Sequence, residues 1–132
     1  MRYMLDTNIC IFMMKHIPQV ISAFEANKND GIAISTIVLA ELEHGVANSQ
    51  ISVKSRNNLI NFLANVAVLD FDSRAAVEYG KICADLYKKG TPIGTMDMLI
   101  GAHAKSLGLT LVTNNTREFS RIAGLHTEDW SE

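Results

Sequence analysis

Tyr3-Met4-Leu5-Asp6-Thr7-Asn8 runs from three apolar residues straight into a carboxylate, a hydroxyl and an amide. The triplet suits a short buried strand, and Asp6 ends it. A carboxylate among apolar neighbours is costly unless it is paired, hydrogen-bonded or bound to a cation. Asp6 also suits a helix cap, an acid's ordinary use at such a place. Two further acids interrupt apolar runs: Glu41 in Ile37-Val38-Leu39-Ala40-Glu41-Leu42, and Asp97 in Met96-Asp97-Met98-Leu99-Ile100. Three such intrusions, far apart in the chain, suggest that the fold gathers them around a hard divalent cation, which takes oxygen ligands.

Outward from that stretch, strands alternate with helices. Asn8 to Lys15 reads as a helix with Thr7 or Asn8 at its cap. A second spans Pro18 to Asn27, with proline in its first turn and Asn29-Asp30-Gly31 as the turn after it. Ile32 to Ile34 is a β-branched strand, and Ser35 or Thr36 caps a helix to about Asn48. Ser52 to Asn65 follows as a helix, Val66 to Leu69 as a strand, and Asp70-Phe71-Asp72-Ser73 caps a helix up to Lys88. Gly90 stops it. A helix from Thr95 to Ser106 carries Asp97 in its first turn, and Gly108 closes it. Leu109 to Val112 is a fourth strand, with Leu125-His126 a short fifth. The alternation implies an α/β sandwich on a mostly parallel sheet of four or five strands, with residues 1–132 forming one domain. Ligands of such sheets sit beyond the carboxyl ends of the strands, where strand order reverses.

Composition bounds the rest. The chain has 132 residues, 48% hydrophobic and 20% charged, which is ordinary globular make-up and disfavours disorder. Cys10 and Cys83 form no metal-type pair and sit in apolar helical contexts, so a reduced cytoplasmic setting is expected. No apolar run reaches the roughly 20 residues that span a bilayer, and the first residues break their hydrophobicity too soon for a secretory signal. Net charge of −2 offers no global argument for nucleic acid. With several acids drawn to one site, Lys88, Lys89, Lys105, Arg117 and Arg121 remain as local candidates for phosphate contact.

The second chemical signal is Val112-Thr113-Asn114-Asn115-Thr116-Arg117-Glu118-Phe119. A strand ending in polar residues presents them at the same sheet edge as Asp6. Thr113 is placed to orient a neighbouring carboxylate, and Glu118 to supply a fourth acid. A plain turn capping a helix from Thr116 to Ile122 explains the same residues. Asp97 in a helix first turn likewise suits the helix dipole, and Glu41 suits a solvated helix face. His16, His44, His103 and His126 lack the spacing of a zinc site; His103 reads as a packed or solvent-facing residue.

Taken in order, Met4-Leu5-Asp6-Thr7-Asn8, Ser35…Glu41-Leu42…Gly45, Pro92-Ile93-Gly94-x-x-Asp97 and Val112 to Phe119 resemble a PIN-domain ribonuclease. More narrowly they resemble the VapC toxin of a VapBC toxin–antitoxin pair, over essentially the whole chain to Thr127-Glu128-Asp129-Trp130. The resemblance implies a three-layer sandwich and an acidic pocket for Mg²⁺ or Mn²⁺. On it, Asp6, Glu41 and Asp97 match the core acids, with Asp6 and Asp97 as metal ligands. Thr7 and Thr113 match hydroxyls that buttress those acids, and Ser35 is a further supporting residue. Many family members carry an Asp where this chain has Asn115, so the fourth corner falls to Asn115 or to Glu118.

The activity implied is metal-assisted hydrolysis of an RNA phosphodiester, and the enteric-type members point to the anticodon region of initiator tRNA. The implied partners are a cognate antitoxin, a second copy of the chain, and operator DNA reached through the antitoxin. Ile11, Phe12, Met13 and Met14 suit a partner surface or the core. Two other readings use the same residues. An aspartyl-nucleophile phosphatase also ends its first strand in Asp, but usually adds an acid where this chain has Asn8. A non-catalytic acidic-pocket module is favoured only by Asn115.

Overall fold

Five parallel strands form one sheet in the order β3-β2-β1-β4-β5. The computed structural model describes residues 1–132. The strands are β1 (Tyr3–Leu5), β2 (Ile32–Ser35), β3 (Ala67–Leu69), β4 (Thr110–Val112) and β5 (Thr127–Glu128). The helices are α1 (Thr7–Met14), α2 (Pro18–Asn27), α3 (Thr36–Ala47), α4 (Ser52–Leu63), α5 (Ser73–Lys88), α6 (Thr95–Ser106) and α7 (Thr116–Phe119). No helix is long and apolar enough to cross a membrane.

β1 is the central strand, and helices cover both of its faces, so it carries no polar side chain until Asp6. Tyr3, Met4 and Leu5 are all but fully buried. Tyr3 pairs with Ile32 on one side and Thr110 on the other, and Leu5 pairs with Val112. The Asp6 N–H extends the ladder by donating to the Val112 carbonyl at 2.9 Å. From β1 the chain builds outward through β2 and β3, then returns to the other side for β4 and β5. Strand order therefore reverses between β1 and β4, whose carboxyl ends deliver Asp6 and Thr113 side by side.

One apolar cluster of 27 buried residues joins the sheet to both helical layers. α5 and α6 pack as a hairpin, with Cys83 Sγ 3.6 Å from Met98 Sδ. Gly101 lets the last segment close on α6, since a Cβ there would lie 2.6 Å from Ile122 Cδ1. Trp130 packs edge-on against Tyr3, with ring centroids 5.2 Å apart.

The structure moves several boundaries. The sheet is wholly parallel. The α1 cap is Asp6 itself, neither Thr7 nor Asn8, because its extended backbone (φ −80°, ψ 173°) aims Oδ1 at the Ile9 N–H. Asn29 and Asp30 belong to a 3₁₀ turn, Lys28–Asp30, rather than to a simple turn. The fifth strand is Thr127–Glu128, not Leu125-His126: Gly124 turns the chain at φ 80°, and the β4 register then pairs Leu111 with Thr127. α7 ends at Phe119, short of Ile122. Ile11 to Met14 are half-buried against the core.

Candidate active site

Asp6 is buried at 5% exposure and held from two sides. Its Oδ1 accepts from the Ile9 N–H at 3.2 Å, and its Oδ2 accepts from the Thr113 hydroxyl at 2.5 Å. Thr113, wholly buried, accepts in turn from the Asn115 N–H at 3.0 Å. The chain Asn115–Thr113–Asp6 thus runs from the turn after β4 to the end of β1. Asn115 contributes its backbone to it. A second hydroxyl does the same for Glu41: Thr7 Oγ1 donates to Glu41 Oε1 at 2.6 Å. At the rim, the Asn8 amide donates to Asn114 Oδ1 at 3.3 Å, tying α1 to the β4 turn.

Charge reaches Asp97 from three other acids. Burial, with Glu41 nearby, raises the Asp6 carboxyl above its ordinary value despite its hydrogen bonds. Asp97 is pushed up to about 6, first by burial and then by the charges of Asp6, Glu118 and Glu41. Glu118 is therefore close enough to Asp97 for its charge to be felt there. None of the four forms an ion pair; the seven salt bridges all lie elsewhere. Unpaired carboxylates that repel one another store a demand for positive charge.

The donor set is all oxygen, which suits a hard divalent ion. No three acids are closed into a ready ligand cage. A cavity of about 230 Å³ opens beside Glu41, lined among others by Ile11, Met14, Leu42, Val46 and Leu59.

A PIN-domain family model matches residues 3–125. The chain is 45% identical to the tRNA(fMet)-specific endonuclease VapC of Shigella flexneri over 132 residues, covering 99% of each chain. The chain belongs to the VapC group of the PIN-domain family. Solved structures of that group agree in fold throughout. VapBC2 of Rickettsia felis, bound to a promoter DNA fragment, superposes with a TM-score of 0.95 at 41% identity, covering 98% of this chain and 99% of the other. DNA-bound VapBC of Salmonella typhimurium gives 0.93 at 43%, covering 98% of each.

In this VapC-group chain the sequence-predicted site residues separate into two sets. Asp6, Glu41, Asp97 and Glu118 share one field, and Thr7, Thr113 and Asn115 act on them. Ser35 does not touch an acid. It caps α3 through the Ile37 N–H and lies 2.8 Å from Nδ1 of His103. The Asn8–Asn114 bridge and the pairing of His103 with Ser35 escaped sequence reasoning, while the packed reading of His103 holds. For His103 the signal was present: it interrupts the run Ile100-Gly101-Ala102-His103-Ala104 as the acids interrupt theirs.

The Thr113 hydroxyl is open to a direct test. Thr113→Val keeps the shape and removes the donor to Asp6. Divalent-ion affinity is expected to fall about 10-fold or more, as when comparable hydrogen bonds behind metal ligands are removed. Calorimetric titration with Mn²⁺ measures it, and an unchanged affinity would refute the buttressing role.

Proposed function

We propose that residues 1–132 form one divalent-metal-dependent endoribonuclease unit, the toxin of a toxin–antitoxin pair, with a tRNA as its substrate. The observation that carries this reading is a pair of oriented carboxylates that no base pairs, Asp6 held by the Thr113 hydroxyl and Glu41 by the Thr7 hydroxyl, with Asp97 pushed up to about 6 by burial and by nearby acids. The name of the Shigella flexneri relative supports initiator tRNA as the target.

In this reading Asp6 and Asp97 hold Mg²⁺ or Mn²⁺, which when bound polarises the scissile phosphoryl oxygen and acidifies a water. Asp6 is kept in place by Ile9 and Thr113 and offers its remaining lone pairs. Glu41 has one oxygen fixed by Thr7, leaving the other to orient the attacking water and accept its proton. Glu118 completes the acidic corner where Asn115 carries no charge. Lys89 is drawn to Asp85 at 3.1 Å and Lys105 to Glu78 at 3.8 Å. Arg117 and Lys88, outside any ion pair, are then the better phosphate contacts.

The apolar cavity beside Glu41 suits an antitoxin segment, in keeping with the VapBC complexes of the relatives. An assembly with antitoxin on promoter DNA follows the complexes of the relatives, and a homodimer is part of the same proposal by family resemblance. Two unpaired thiols, Cys10 and Cys83, accord with a cytoplasmic setting. The purified chain is expected to cut initiator tRNA with Mg²⁺ and leave it whole with chelator. Intact tRNA under both conditions would overturn the reading, and a phosphoryl group trapped on Asp6 would favour a phosphotransferase.

Proton and metal compete for the same carboxylate, with a definite sign. The folded-state value of Asp97 is raised from 3.8 to about 6, so its protonated form is favoured by the fold. Its contribution to stability is full below the unfolded value and is lost as pH rises through about 6. A divalent ion binds the ionised form and restores what ionisation removes. The rise in melting temperature on adding Mn²⁺ should therefore be larger at about pH 7.5 than at about pH 5. Equal shifts at both would count against Asp97 as a ligand.

A further inference from the structure

Away from the acids, one buried polar junction stands out. Ser35 ends β2 fully buried, and His103, late in α6, is 1% exposed. Ser35 Oγ accepts from the Ile37 N–H at 3.0 Å, which leaves its own proton for His103 Nδ1, 2.8 Å away. The backbone of Asp70 lies on the ring's other side, where it favours a proton. These partners assign a neutral ring with its proton on Nε2. Phe71 packs edge-on against the ring with centroids 5.4 Å apart, and its N–H donates to Thr36 Oγ1 at 3.1 Å. The start of α3, the loop from β3 to α5, and α6 are thereby joined at one point.

The position of that point along the helices gives it a function. Glu41 lies six residues after Ser35 on α3, and Asp97 lies six residues before His103 on α6. At 1.5 Å per residue each acid is about 9 Å from the junction. α3 and α6 pack against one another, and Thr7, next to Asp6 in the chain, holds Glu41. α3 and α6 are thus joined at Ser35 and His103, with one acid six residues away along each.

We infer that the Ser35–His103 hydrogen bond is the fulcrum that sets the opening between the Glu41 and Asp97 helices, making His103 a positioning residue for the acidic site. The inference rests on the metal-dependent reading above. An opening of about 10° about the fulcrum would move a carboxylate on a 9 Å arm by about 1.5 Å. Ligand distances in metal sites hold to within about 0.2 Å, so a small rotation is decisive.

Two substitutions separate this from mere filling of space. His103→Phe keeps a buried ring and removes the acceptor for Ser35. His103→Asn is smaller but returns an acceptor oxygen near the place of Nδ1. Three readouts apply: Mn²⁺ affinity from the electron-spin signal of free Mn²⁺, steady-state cleavage of tRNA, and thermal melting. H103F should bind Mn²⁺ about 10-fold more weakly and lose about 100-fold in kcat, with KM for RNA within about 2-fold. H103N should recover both to within about 3-fold of the parent although its smaller side chain lowers the melting temperature.

If H103F does not fold, Ser35→Ala removes the same bond from the other side and should weaken Mn²⁺ binding similarly. H103F or S35A with parental Mn²⁺ affinity overturns the inference. So does H103N as impaired as H103F, since volume alone would then explain the residue. A parent that binds Mn²⁺ but cuts no RNA refutes the ribonuclease reading alone, and the Mn²⁺ comparison still decides the fulcrum. A parent that binds no Mn²⁺ refutes both.

Discussion

Asp6→Asn is expected to abolish Mg²⁺-dependent RNA cleavage while leaving the fold intact or slightly more stable. Asparagine caps helices as well as aspartate does, so α1 keeps its acceptor for the Ile9 N–H. The Thr113 hydroxyl, which donates to Asp6, is able to accept from the new amide instead. What disappears is a buried negative charge that burial and Glu41 already disfavour. Removing it relieves repulsion with Asp97, so the melting temperature without metal should hold or rise. Activity should move the other way. Deleting one preorganised hydrogen-bond donor from an active site costs about 10²–10³ in rate, and losing a ligand to the cation should cost at least about 10³. A variant that unfolds, or one that retains more than a tenth of the parental rate, would contradict this assignment.

The largest effect on stability is expected at Phe119, which has no exposed surface. Phe119 anchors α7, a helix of four residues. So short a helix has no stability of its own and depends on its apolar contact. Phe119→Ala should destabilise by about 3–5 kcal/mol in urea unfolding, the usual cost of truncating a buried phenylalanine. It also frees the neighbouring Glu118 from the acidic site. Glu118→Ala, at a half-buried position outside any ion pair or side-chain hydrogen bond, is the control. Its unfolding midpoint should stay near that of the parent while cleavage falls. A loss below about 1 kcal/mol for F119A would show that α7 is held by something else.

Much of the site was legible because its residues break local patterns. Asp6, Glu41 and Asp97 each interrupt an apolar run, and that cost demands an explanation wherever the chain folds. The alternation of strands and helices was equally plain. Less plain was which way an ambiguous residue would act. Asp6 served as both the cap and the buried acid, so the two readings that competed in sequence are compatible in space. The fifth strand was misplaced because Leu125 and His126 look more strand-like than Thr127 and Glu128. Register with β4, a distant partner, made the choice. Ser35 and His103 are 68 residues apart, and no local signal announces such a pair.

The Thr113–Asp6 hydrogen bond closes a separation of 107 residues. Its two ends belong to the first and fourth strands, which lie side by side at the centre of the sheet. During synthesis Asp6 has only its local partner, the Ile9 N–H, until Thr113 emerges behind β4. Long-range parallel pairing of this kind forms late and slowly. The acidic site therefore stays unassembled until Thr113 is made. A chain cut short before residue 110 lacks β4 and the Thr113 hydroxyl, and is expected to show no nuclease activity.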